Sequence, residues 1–173
     1  MIKKTYDVII VGAGPAGMFA ALEIIKKNPT LKVVIVDMGL KIENRSNKDI
    51  MSGFGGAGTY SDGKLHFTPK LSHERTFHLI KPEDYQVILN EIDETFMSFG
   101  VDSEEYPKNK YEVEAMVEEA QKHNIELIVR RMKHVGSDKL KEVMKNFQDH
   151  LEKMGVELME KTEVLDIIVE DGK

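Results

Sequence analysis

Three glycines, Gly12, Gly14 and Gly17, follow the apolar run Tyr6 to Val11 in Gly-x-Gly-x-x-Gly spacing. About twenty residues on, an acid, Asp37, closes a second apolar run, Lys32 to Val36. Strand, glycine turn, helix, strand and acid together make a far more specific signal than the glycines alone, and the chemistry they fit is binding of a dinucleotide. Gly12 permits the tight turn, Gly14 lets backbone approach a pyrophosphate, and Gly17 lets the helix lie close on the sheet. Pro15 suits a first helical turn because its missing N–H costs nothing there. The helix start offers N–H groups and a positive dipole end to a diphosphate. Ala20, Ala21 and Ile24 are expected to continue the packed face. Asp37 can accept from ribose hydroxyls. Met38 follows it where an arginine would be needed to take a 2′-phosphate, so NADP is disfavoured at this site. A SAM site also uses a glycine loop and an acid, but the glycine spacing with Pro15-Ala16 favours a dinucleotide.

A second glycine-rich stretch runs from Gly53 to Gly63, with Gly55, Gly56 and Gly58 between them and Phe54 and Tyr60 interleaved. Glycines are costly in conformational entropy. A plain loop is one explanation. Close approach of backbone to a ligand, with successive N–H groups forming an anion nest, is the better one.

Side chains with chemistry of their own are few. Ser61 and Lys64 are candidates to hydrogen-bond a cofactor edge, against the simpler account of Asp62 and Lys64 as a solvated pair. His66 is a candidate acid/base at the loop, against the simpler account of a surface histidine, and His134 a candidate neighbour of the cofactor, against the simpler account of fixing a turn before a helix. His73, Glu74 and His78 lack the spacing of a helix-borne zinc motif, so no metal site is expected. The acids Glu112, Glu114, Glu118 and Glu119 read as a solvated helix face. No nucleophile elbow occurs, and no residue is assigned a catalytic role.

The elements that must position these groups follow from periodicity. Lys41 to Asp49 is polar and reads as a surface loop. A helix is expected from Pro82 to Gly100, with Tyr85, Ile88, Leu89, Ile92, Phe96 and Phe99 on one face. A second is expected over Glu112 to Lys122, with Val113, Met116, Val117 and Ala120 on one side. A third starts at its N-cap Ser137, buries Leu140, Val143, Met144, Phe147, Leu151 and Met154, and stops at Gly155. Strands are expected over 124–129, 156–159 and 164–169. The fold class is therefore α/β, a Rossmann-like parallel sheet with a helical insertion. Residues 1–70 form the first part of the binding core, 71–133 a mainly helical insertion, and 134–173 the return to the core.

The chain has 173 residues, 41% hydrophobic and 31% charged, which suits one soluble globular domain. A net charge of −6 argues against general binding to nucleic acid or anionic membranes. No apolar run has the length of a membrane span, and no signal-peptide core precedes the first strand, so a cytoplasmic location is expected. The absence of cysteine excludes disulfides, thiolate nucleophiles and Fe–S clusters. Asp171-Gly172 predicts a hairpin with no strand after it. That points to an N-terminal piece of a longer protein, with a missing C-terminal half or self-association through the unmatched strand edge.

The stretches Gly53 to Leu65 and His134-Val-Gly-Ser-Asp-Lys-Leu140, added to the first glycine motif, resemble the N-terminal part of a family of bacterial FAD-dependent dehydrogenases. That family belongs to the flavoproteins with two dinucleotide-binding domains. The resemblance implies that Gly12, Gly14, Ala16 and Gly17 hold the FAD pyrophosphate and Asp37 the adenosine ribose. It implies that Gly55, Gly56, Ala57 and Gly58 run past the pyrophosphate or ribityl chain, and that the backbone of Val164 meets the adenine. The implied activity is hydride transfer between a small organic substrate and flavin, with NAD(P)H or another carrier exchanging electrons. Two alternatives stand beside it: a non-catalytic nucleotide-binding fragment, and an NAD-binding domain without flavin.

Overall fold

The computed structural model describes residues 4–68 and 80–169. His73, Glu74, His78 and the Asp171-Gly172 turn lie outside them. The chain divides into two compact units: one reaches Asp62 and resumes at Ser137, the other is Gly63–Gly136.

The first unit is built on parallel strands β1 (Val8–Val11), β2 (Val33–Val36) and β6 (Glu157–Met159), in the order β1-β2-β6. Val8 pairs with Val33 and Val11 with Val36, while Val34 pairs with Glu157 and Val36 with Met159. The central strand buries all four residues, as an apolar parallel strand should. β1 does not. Ile10 faces the first helix near Gly17, whereas Ile9 and Val11 point the other way and stay 60% and 62% exposed. The first strand is thus half-buried at Val8 and Ile10 and exposed at Ile9 and Val11.

Helix α1 (Pro15–Lys27) joins β1 to β2 and buries Met18, Ala21, Leu22 and Ile25. Ala20 is exposed, so the packed stripe sits slightly round the helix from the expected one. Helix α4 (Ser137–Lys153) leads into β6 and buries Leu140, Val143, Met144, Phe147, Gln148 and Leu151. Its Phe147 meets Phe19 of α1 edge-on, with centroids 5.0 Å apart. Such a pair adds about 0.5–1.5 kcal/mol beyond the area it buries. Both helices therefore share one core.

The second unit contains α2 (Pro82–Ser98), α3 (Lys110–Lys122) and the antiparallel strands β3 (Lys64–His66), β4 (Glu105–Tyr106) and β5 (Met132–His134), in the order β3-β5-β4. Its core takes Phe67, Leu89, Phe96 and Val101. An ion pair is buried with them: Lys133 Nζ lies 2.6 Å from Asp93 Oδ1, both residues 7% exposed. Ile88, expected in the packed face of α2, is 39% exposed. Helix α3 begins two residues earlier than expected, capped by the Asn109 side chain, and buries none of its residues.

Two expected strands do not form. Residues 125–129 carry no ladder, and Ile125, Leu127, Ile128 and Val129 remain exposed; the strand of that region is β5. Residues 164–169 likewise pair with nothing among the described residues, and Leu165, Ile167 and Ile168 are largely exposed. After β6 the chain leaves the sheet direction instead. Lys161 takes a positive φ of 52°, its N–H donates to Gly39, and the N–H of Thr162 donates to Asp37. No described helix is long and apolar enough to cross a membrane, and no described residues cluster as metal ligands.

Candidate functional site

The site forms where β1 hands over to α1. The N–H of Gly12 donates to Val36 at 2.8 Å, and its φ of +98° makes the turn that only glycine takes without strain. The chain then enters α1 with Gly14 at the N-cap, in an extended conformation and with no side-chain cap. A Cβ on Gly17 would collide with the carbonyl of Gly12 and crowd Ile10, so this glycine serves packing.

Asp37, just past β2, fastens the turn. Its Oδ2 accepts from the N–H of Ala13 at 2.8 Å, and its Oδ1 accepts from Gly39 at 2.7 Å. Carboxylate oxygens have about four lone-pair sites between them, so the group can hold the turn and still accept from a sugar hydroxyl. Met38 beside it is exposed.

The second glycine segment lies on the first. The N–H of Gly55 donates to the carbonyl of Ala13 at 2.8 Å. A Cβ on Gly56 would stand 3.3 Å from Gly14 Cα and 3.1 Å from Pro15 Cδ. Phe54 is fully buried beneath. The Thr59 hydroxyl, also buried, donates to the Gly55 carbonyl and closes a short 3₁₀ turn over Ala57–Tyr60. Ala57 and Gly58 face solvent.

Gly14 and Gly58 stand apart from the other glycines of these two segments. Gly12, Gly53, Gly55 and Gly56 have positive φ, and Gly17 has a collision to avoid. Gly14 has ordinary extended angles and no protein atom nearer than 4.0 Å to a built Cβ; Gly58 has open space. Neither the backbone nor the packing of this chain requires glycine there. The space left is a shallow cradle at a helix N-terminus, which suits a diphosphate.

Arg45 was not among the residues picked out by spacing. It lies in the polar stretch read as a surface loop, yet it is 7% exposed. Its five donors reach backbone carbonyls: Nε and Nη2 to Asp49, Nη2 also to Ile50, and Nη1 to Phe54 and Gly56. Its guanidinium carbon lies 4.4 Å from the centroid of the Tyr60 ring. Burial pulls its pKa below the ordinary value, while Tyr60, Asp37 and Asp49 act to raise it. Gln148 was also missed. Fully buried on α4, it accepts from the N–H of Ile42 and donates to Glu43, holding the turn that leads to Arg45. Its one signal was an amide inside an otherwise apolar helix face.

Other residues named from the sequence fall elsewhere. Ser61 is exposed and bonded to Asp62 at 3.4 Å. Lys64 and His66 are exposed on β3 and His134 on β5, all in the second unit. Val164 is 40% exposed in a segment without a ladder. The cradle itself therefore gathers Gly12, Gly14, Pro15, Ala16, Gly17, Asp37, Gly55, Gly56, Ala57 and Gly58. It offers backbone donors and one carboxylate.

The pattern of the Thi4 family matches residues 2–44. That span holds β1, the glycine turn, α1, β2 and Asp37. A Clostridium beijerinckii protein, described as an uncharacterized protein, is 27% identical over 179 residues, which is 95% of this chain and 26% of that protein. Among solved structures, glycine oxidase from Bacillus cereus superposes with a TM-score of 0.52 at 20% identity, covering 96% of this chain and 50% of that one. L-amino acid deaminase from Proteus vulgaris gives 0.47 at 16% identity, over 92% of this chain and 40% of that one. The chain thus spans about a quarter of its curated relative and half or less of these structures. The fold is an α/β, Rossmann-like fold with a parallel sheet.

Proposed function

We propose that this chain binds FAD through its two glycine segments and belongs to an FAD-dependent oxidoreductase. The observation that carries the reading is Gly14. It is a glycine that the protein's own geometry does not need, placed at a helix N-terminus with the second glycine segment against it. On this reading Gly14, Pro15, Ala16 and Gly17 cradle the pyrophosphate, and Asp37 takes the adenosine ribose. Gly55 to Gly58 guide the chain of the cofactor toward the flavin, and the backbone near Val164 takes the adenine. FAD when bound would supply hydride transfer; the residues here bind and orient. The Thi4 match over residues 2–44 and the likeness in fold to a glycine oxidase support the class. NAD(P)H or another carrier as electron donor belongs to the same proposal, as do an organic substrate, a cytoplasmic location, and the absence of nucleic-acid and membrane partners.

A second reading has its own support. Because the chain spans only part of the proteins it resembles, it can also serve as a nucleotide-binding piece without catalysis, completed by a further half or by self-association. An NAD site without flavin is disfavoured, since one NAD needs only the first glycine turn.

A fluorescence titration of the purified protein with FAD and with FMN tests the reading. FMN lacks the adenosine half that Asp37 and the first turn are held to grip. Binding of FAD with little binding of FMN is the expected outcome. Equal binding of both would remove the fingerprint as the anchor.

A further inference from the structure

Arg45 is a buried cation whose five N–H donors are all used on carbonyls of its own chain. Among the described residues no carboxylate lies within ion-pair distance of it. Carbonyl dipoles satisfy its hydrogen bonds, while Asp37, Asp49 and the Tyr60 ring favour its charge against the cost of burial. The group is placed behind the cradle, because the Gly56 carbonyl it holds at 3.0 Å belongs to the residue that abuts Gly14.

We infer that Arg45 is the positioning residue of the dinucleotide site, fixing Gly53–Gly58 against the first glycine turn and making the cradle favourable for a diphosphate. This rests on the dinucleotide reading above. Arg45 has no donor left for a ligand, so it acts through the backbone and through its field. A lysine cannot replace it. The planar fork reaches the carbonyls of Asp49, Ile50, Phe54 and Gly56 together, whereas an ammonium is a point with three donors.

The test compares the wild-type chain with Arg45→Lys and Arg45→Met, using FAD, ADP and adenosine as probes and thermal unfolding as the check on folding. Both variants should bind FAD and ADP about ten- to a hundredfold more weakly, the span of the charged hydrogen bonds removed. Adenosine, which has no diphosphate, should lose much less. A merely structural arginine would weaken all three probes alike, and that result overturns the inference. Arg45→Lys binding ADP as the wild type does also overturns it, while leaving the dinucleotide reading intact. A wild type that binds neither FAD nor ADP removes both. Should the variants not fold, hydrogen exchange on the wild type decides. Added ADP should protect the amides of Phe54–Thr59, and unchanged exchange there contradicts the inference.

Discussion

The N–H of Gly55 donates to the carbonyl of Ala13 at 2.8 Å, which ties two glycine segments some forty residues apart into one surface. Each alone is an ordinary turn. Joined, they leave room for a side chain at Gly14, which would just touch Gly56, and open space at Gly58.

That arrangement separates the glycines by role. Gly14→Ala and Gly58→Ala should change stability by only about 0.5 kcal/mol, since no strain or collision is introduced. Both should weaken FAD binding by about tenfold or more, at roughly 1.4 kcal/mol per factor of ten. Gly17→Ala should instead destabilise the fold itself: its Cβ meets the Gly12 carbonyl, and overpacking costs about 1–3 kcal/mol. Thermal unfolding and an FAD titration on the three variants check it. Equal destabilisation across all three would refute the division.

Asp37 has a structural task before any ligand arrives. Replacing it with Ala leaves the N–H groups of Ala13 and Gly39 without their charged acceptor, which should cost about 1.5–3 kcal/mol in ligand-free protein. A further loss should show in FAD binding. Urea unfolding without ligand reads the first term. An unchanged midpoint would mean that the carboxylate does not hold the turn.

In the second unit, Lys133→Met removes one partner of a buried ion pair and strands Asp93. The expected destabilisation of that unit is about 3–5 kcal/mol. Arg131, 3.3 Å from the other Asp93 oxygen, offsets part of it. Lys133→Met combined with Asp93→Leu should recover most of the loss, which a double-mutant cycle measures.

Glu160 gives a pH dependence of definite sign. The N–H of Lys41 donates to its carboxylate and holds its pKa below the ordinary 4.5, with Asn44 helping. A depressed folded pKa stabilises above the unfolded value and is lost as pH falls through the folded one. The melting temperature of wild type should therefore exceed that of Glu160→Gln near neutrality, and the gap should close as pH drops below 4.5. A gap that stays constant across this range would argue against the contact.

Much of this was legible in the chain itself where spacing is local. The first glycine turn, α1, β2 and Asp37 lie within one continuous segment, and α4 carries a clean apolar stripe between Ser137 and Gly155. The bond from Gly55 to Ala13 was not legible, because it is a backbone contact between distant segments and leaves no mark on residue type. Arg45 was hidden by its neighbours: Lys41 to Asp49 has the composition of a solvated loop, and only the three-dimensional ring of carbonyls explains one buried arginine in it. Residues 164–169 form an apolar, largely β-branched run as a strand does, but composition supplies no partner. Ile9 and Val11 show the same limit from the other side, since an apolar strand at the edge of a sheet is buried only where something covers it.

The most direct measurement is the visible absorption spectrum of the purified chain, before and after adding FAD, with chromatography of whatever heat releases. The account predicts flavin bands on the protein and FAD in the released fraction. A colourless protein that takes up no added FAD would contradict it.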